Sequence, residues 1–460
     1  MRPSHAVRAV FDDPNLVPAA GLVPLLRLAD AAGLDGLLGG LSVPSPNAPS
    51  KVRCVVAGML AGADSIDDLD LLRAGGTGRL FQGLRAPSTL GTFLRSFTHG
   101  HVQQLDSAGR AVLSGLAARV PGLLAGSGDD GIAMIDIDDT VREVHGYAKQ
   151  GAAYGYSGVR GLNVQLATIS TPIAAPVIGA ARLRSGNTAS ATGCGRLLAQ
   201  TVRAARACGA TGRLLVRADS AYYGWALVGT ALRHQAWFSV TARMTATVTA
   251  AISSIPEQAW TPIVYPHAVF DEDEGRWVSD AEVAEVEFIA FTGRRKREHV
   301  SCRLVVRRVK RLQPRSPDGS AQGELFTLHR HHAFITNSTL STVEADERHR
   351  DHAIVEQVIA ELKNGPLAHL PSGNYAANAA WVSCAVMAFN LTRAAAVAAG
   401  MRTARWATLR TRLISIPGRV ATSSRQLTLH LPTRWPWQSG WEQLWIAGNI
   451  GTSPPHAAVT

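Results

Sequence analysis

Cysteine is scarce in this chain: Cys54, Cys194, Cys208, Cys302 and Cys384 are its five, scattered through 460 residues with no C-x-x-C pair. Such a set argues against a disulfide framework or a structural zinc site and suits a reducing compartment. The opening stretch "MRPSHAVRAVFDDPN" lacks an apolar signal segment, which predicts cytoplasmic, nucleoid-associated residence. The most apolar later run, "AANAAWVSCAVMAFNLTRAAAVAAG", is interrupted by Ser383, Asn390, Thr392 and Arg393, so it reads as a buried helix and not a membrane span. Internal repeats and low-complexity tracts are missing as well. Acid is in deficit, with 35 Asp and Glu against 46 Lys and Arg and a formal charge of +11. That excess calls for a polyanionic partner, nucleic acid ahead of an anionic membrane surface.

What is present is enough apolar residue, 46%, to build two or three domains. Residues 1–127 read as a helical domain suited to DNA binding, with short helices separated by Pro and Gly clusters. Within it Ser88 and Thr89, after Pro87, are candidate N-caps for a helix carrying Arg95. Past the link "AGSGDDG", residues 128–243 switch to strands and helices in the order β-β-β-α-β-α-β. Residues 244–333 form a mostly β insertion with its own apolar alternation, the acidic "DEDEGRW" and the basic "GRRKRE". Residues 334–400 resume the scaffold. Residues 401–460 carry seven arginines from Arg402 to Arg434 and four tryptophans from Trp435 to Trp445, suiting a nucleic-acid face or a packed closing segment.

Three acids stand at ends of these elements. In "IAMIDIDDT" the two-residue period puts Asp136 and Asp138 on one face and Asp139 on the other. Asp219 closes the strand of "LLVRADSAYYG". The stretch "ERHRDHAIVEQVIAELKNG" is amphipathic: His349, His352, Glu356 and Lys363 fall within about 60° on a helical wheel. Ile354, Val355, Val358 and Leu362 take the opposite side. If that helix packs across the strand ends, Glu356 joins Asp138 and Asp219. Converging carboxylates repel unless a cation lies between them, and hard oxygen ligands suit magnesium. An alternative set, His349, His352 and Glu356, has the chemistry of a transition-metal triad. Each aspartate taken alone reads as an ordinary turn cap before it reads as a ligand.

Together "IDIDDT" with "GYAKQGAAYGYSGVRG", then "VRADSAYYG", then "FITN" and its following helix resemble the bacterial insertion-sequence transposases of the DDE class. The resemblance implies a ribonuclease-H-like α/β core, a mixed sheet flanked by helices. It implies that Asp138, followed after one residue by Thr140, Asp219 and Glu356 are catalytic and hold Mg²⁺, with Mn²⁺ able to substitute. The family's helical signature is Tyr-x2-Arg-x3-Glu-x6-Lys; Glu356 and Lys363 keep its second half, and His349 and His352 stand in place of Tyr and Arg. Glu361 is the poorer third acid by its place on the wheel. Expected phosphate contacts are Lys363, His352, His349, Arg350, Lys149 and Arg160, with Arg348 and Arg217 as further candidates.

The same resemblance implies DNA partners, the element's terminal inverted repeats and target DNA, and a homodimer that synapses two ends, with no membrane. It implies metal-dependent strand cleavage and strand transfer. Relatives use the insertion to hold the transposon end, and Trp260 and Trp277 are base-stacking candidates by location, although packing is the commoner use of tryptophan. Other uses of this scaffold are a host nuclease, or a DNA-binding regulator or remnant that no longer cuts.

Overall fold

The structure is a computed structural model and describes residues 7–146, 148–264, 269–271, 276–278, 281–310, 329–424 and 426–448. The side chain of Trp277 lies outside the described residues.

The chain opens with the short β1 (Leu16–Val17) and a run of helices: α1 (Leu22–Ala31), α2 (Leu34–Leu38), α3 (Ala48–Ala61), α4 (Thr77–Leu80), α5 (Pro87–Arg95) and α6 (His99–Arg119). Helix α5 begins at Pro87 itself, with Ala86 at the N-cap and no side-chain cap. Ser88 and Thr89 are therefore inside the helix and not its caps. Proline at the first helical position needs no partner for a missing N–H, so it starts the helix without them. Helix α6 does carry a capping box, between Thr98 and His101.

The sheet elements follow: β2 (Ile132–Glu143), β3 (Ala153–Tyr154), β4 (Arg160–Thr171), β5 (Ala174–Ser185), α7 (Cys194–Ala207), β6 (Arg213–Ala218), α8 (Trp225–Arg233) and β7 (Trp237–Thr241). Apart from the two-residue β3 this is the order read from the sequence. After α9 (Ala246–Ser253) come β8 (Thr261–Pro262), β9 (Val269–Asp271), β10 (Arg276–Val278), β11 (Ala281–Ala290), β12 (Val300–Lys310) and β13 (His329–Thr336). The chain closes with α10 (Thr342–Arg350), α11 (Ile354–Lys363), α12 (Tyr375–Ala398), α13 (Trp406–Leu409), β14 (Gly418–Ser423), β15 (Gln426–His430) and α14 (Gln438–Gly448).

The large sheet has the strand order β3-β4-β2-β6-β7-β13-β12-β11-β8, with β5 added on β4. Strands β2, β6 and β7 are parallel and the remaining pairings are antiparallel. This is the mixed sheet flanked by helices expected of a ribonuclease-H-like core. Strands β8, β11 and β12 extend the same sheet beyond β13, and β13 itself crosses residue 333, so the insertion continues the core sheet.

Helix α12 packs between this sheet's β5 and the N-terminal helices, and most of its side chains are buried. It is the one described helix long and apolar enough to cross a membrane, but it is wrapped by β5, α6 and α3. Trp381 on α12 is fully buried and donates its indole N–H to Pro366 O at 2.6 Å. One apolar core runs from Val17 to Leu444 and joins the N-terminal helices to the sheet. The tryptophan-rich end is packed and not displayed: Trp441 and Trp445 stack at 5.2 Å, and Arg27 of α1 covers Trp445 at 4.4 Å.

Candidate active site

Parallel pairing of β2 with β6 aligns Ile137 with Ala218. One residue further on, Asp138 and Asp219 stand side by side where β6 ends, at the carboxyl edge where open α/β sheets commonly bind ligands. Asp219 is exposed and accepts the Ala221 N–H at 3.0 Å, capping the turn that follows. Asp138 is half-buried, and its Oδ1 accepts the Asp139 N–H at 2.7 Å. Burial pushes Asp138 up to about 6, and the neighbouring charges of Asp219 and Asp139 push the same way.

The two acids flanking Asp138 are locked into the fold. Asp136 is completely buried against Arg217, whose Nε and Nη2 donate at 2.6 and 2.8 Å. Arg217 also donates to the Arg348 carbonyl on α10, tying that helix to the sheet. On the opposite face Asp139 accepts from Tyr222 Oη at 2.9 Å, from Arg184 Nη2 at 2.9 Å and from Asn163. Arg217 and Tyr222 thus reach from either side of Asp219 to the acids on either side of Asp138. The motif "VRADSAYYG" builds its clamp around its own central acid. In the sequence Asp219 stands out and Arg217 reads as a phosphate contact, whereas nothing singles out Tyr222; an arginine two residues before Asp219, on the same face of the strand, is the signal that a buried ion pair lies there.

The helix expected to run unbroken through His349 and Lys363 is divided. A 3₁₀ turn, Asp351–Ala353, separates α10 from α11, and the two halves pack on different strands, α10 on β7, β11 and β12 and α11 on β2 and β5. His349 is consequently taken into the fold: its ring stacks on Phe334 at 4.1 Å, with Ser239 Oγ and Thr241 Oγ1 at its nitrogens, 2.9 and 3.0 Å away. Burial lowers its pKa to about 3, so it is a neutral packing residue at neutral pH and not a phosphate contact. His352 turns inward too, with Nδ1 2.9 Å from Asp136 Oδ1. Arg350 pairs with buried Asp346 at 2.9 Å. The histidine-containing metal triad is not assembled among the described residues: both ring nitrogens of His349 are taken by Ser239 and Thr241, and no such group of three is gathered.

Helix α11 keeps the other half of the stripe. Glu356 is exposed, and Lys363, two turns on, is half-buried within electrostatic reach of Arg142 and Asp138; burial is the first cause lowering its pKa. Glu361 is occupied elsewhere, accepting from Arg393 at 2.6 and 2.7 Å and from the Trp406 N–H at 2.8 Å. Among the described residues no three acidic, imidazole or thiol groups are gathered as a closed metal-ligand set. The edge offers hard carboxylate oxygens, and the charged form of Asp138 is disfavoured there by burial and by its acidic neighbours. That donor chemistry fits a divalent cation.

A groove of about 760 Å³ opens between α5 and the far end of β2; Arg95, Arg142, Lys149, His145 and His369 are among its lining residues, as are Asp67 and Glu143, and none of Asp138, Asp219 and Glu356 is. Arg142 and Lys149 donate to the carbonyls of Ala368 and Leu370 across it. Arg160 donates to Gly146 O. Tyr156, from the glycine-rich loop, is largely exposed, and its phenol is raised by partial desolvation and by the charges of Asp139, Asp138 and Asp219, so it lies within electrostatic reach of the acids. Trp260 lies beneath Arg308, 4.4 Å from its guanidinium, so it is engaged in packing.

A search of curated proteins finds no match for the chain. A family model described as transposase DDE domain group 1, by contrast, matches residues 5–447, from ahead of β1 to the last turn of α14. With the paired acids at the sheet edge and a match over nearly its whole length, the chain belongs to the DDE transposases.

Proposed function

We propose that this transposase binds the ends of its own insertion sequence, cleaves them and joins the freed 3′ hydroxyl to target DNA. The observation that carries the reading is the side-by-side pair Asp138 and Asp219 on adjacent parallel strands, with Lys363 within electrostatic reach of Asp138. Asp138, Asp219 and Glu356 would hold Mg²⁺ or Mn²⁺. When bound, such ions stabilise both the attacking and the leaving oxygens of an in-line phosphoryl displacement.

The chain's own residues do the rest. Arg217 and Tyr222 hold β2 and the end of β6 so that Asp138 and Asp219 keep their level. Lys363 faces the same edge and meets the scissile phosphate, and Lys149, Arg142 and Arg160 steer the DNA backbone along the groove. The loss of arginine's charge at position 352 is offset by Lys363 and Arg142, the cations that sense each other at the edge. A homodimer brings two ends together, in the cytoplasm and on the nucleoid.

The test is cleavage of a labelled duplex carrying the gene's own flanking ends, with Mg²⁺ or Mn²⁺, by the wild type, Asp138→Asn and Glu356→Gln. Metal-dependent cutting at the element boundary, lost in both variants while end binding persists, is the expected result. Tight end binding without cutting by the wild type would reduce the protein to a DNA-binding regulator.

A further inference from the structure

The sheet face opposite Asp138 carries a second concentration of charge. Asp139, Gln165 and Arg182 form one row across β2, β4 and β5, so Arg182 points to the face away from Asp138. Helix α7 packs on β5, and α6 packs against α7. The two helices run side by side in step. Arg196 Nη2 donates to Gln103 Oε1 at 2.9 Å, and eleven residues further along both helices Ser114 Oγ donates to Ala207 O at 2.8 Å. Equal spacing on the two helices means they are parallel, and it brings Arg110 and Arg203, each seven residues beyond the first bond, to the same level.

Like charges set level with one another repel, and a single carboxylate among several guanidiniums leaves a net positive surface that an anion lying across it would relieve. Arg110 feels Arg203 and Arg196, and Arg182 feels Arg196 and Arg110; burial and these repulsions lower the pKa of both Arg110 and Arg182. The carboxylate acting on both is Asp106, itself bonded to Ser383 at 2.5 Å and pushed up to about 6 by burial. Arg196 and Arg182 are held by neutral amides, Gln103 and Gln200, which orient a guanidinium without cancelling its charge. Arg196 and Arg203 are exposed. The enclosed space beside Asp106, Arg110 and Ser383 is about 20 Å³, too small for an anion to enter, so a ligand has to lie across the surface. Arg196 and Arg203, two helical turns apart, are separated by roughly 10 Å along the axis, which spans more than one phosphate.

We propose that the arginine row of α6, α7 and β5 is a second phosphate-binding surface, taking the backbone of a duplex DNA segment on the face away from the acid edge. It rests on the DNA-binding part of the reading above and not on cleavage. The full chain is titrated with an arbitrary duplex of about 30 base pairs over a salt series, without divalent ions; a duplex of this length is on the order of three helical turns. Removing two phosphate contacts in Arg110→Gln/Arg203→Gln should reduce the slope of log affinity against log salt by about 1.8, and the single exposed substitution Arg203→Gln by about 0.9. Arg203→Lys keeps the slope. The DNA-free melting temperature of Arg203→Gln should not fall, since the charge removed repels Arg110.

A wild-type slope in Arg203→Gln, or an equal loss in Arg203→Lys, overturns the surface. If the wild type cuts its ends and the slope is unchanged, this surface alone fails. If it does not cut and the slope falls, cleavage fails and the surface stands. No binding of duplex by the wild type would remove both.

Discussion

Arg217 and Asp136 are the residue pair on which the acid edge depends, with side-chain exposures of 1% and 0%. Removing one member strands a buried charge, so Arg217→Met should lower stability in urea unfolding by about 3–5 kcal/mol. Tyr222→Phe, which deletes a single bond to a charged acceptor, should cost about 1.5–3 kcal/mol in the same measurement. His349 sets an acid limb. Its pKa is depressed to about 3 against an unfolded value near 6.5. The unfolded chain therefore binds the extra proton, and the stability His349 contributes is complete above pH 6.5 and lost as pH falls toward 3. Unfolding free energy followed from pH 7 to 4 should decline less steeply in His349→Gln than in the wild type. At this scale strand alternation made it readable that Asp136 and Asp138 share a face and Asp139 takes the other, and helical spacing that Glu361 stands apart from Glu356, because both are local rules. The destinations of His349, His352 and Arg350 were not readable, since they depend on which strand each half of a divided helix packs against.

The bulge in β5 is the clearest case of an element shaped by a distant one. Register slips at Gly179, where Ala167 pairs with Ala180 but Thr168 pairs with Ile178. The amide of Asn390 on α12 then serves the backbone: its Oδ1 accepts the Ile178 N–H and its Nδ2 donates to the Ile178 carbonyl, both at 2.8 Å. A Cβ at Gly179 would meet Thr201 Cγ2 at 2.6 Å, so the bulge also seats α7. Asn390→Leu leaves two buried backbone groups unpaired and should lower the melting temperature, at a cost of about 1–3 kcal/mol for each group. The order of elements along the chain from β2 to β7, β3 apart, is legible from alternation and turn residues. The bulge was not, because Asn390 reads only as an interruption in an apolar run. The break at Asp351–Ala353 was equally hidden: no Pro or Gly marks it in "RHRDHAIV".

Over the whole molecule the two ends of the chain interlock. Strand β1 pairs with β14 at Leu16 with Arg419 and Val17 with Gly418, and α1 packs on α14. The N-terminal helices therefore share their core with the closing segment, as the composition of residues 401–460 alone could not reveal. Deleting residues 406–448 should expose α1 and α3 and speed their digestion in limited proteolysis, even though the deletion is remote from both in sequence.

The pairing of β1 with β14 also bears on how the protein is made. Translation at roughly 5–20 residues per second puts some 20–80 seconds between emergence of the first strand from the ribosome and that of its partner. Throughout that interval the leading helices lack the surface that completes their core. A nascent chain interrupted before β14 would leave them uncovered and open to chaperones and proteases, whereas one that has reached α14 can bury them.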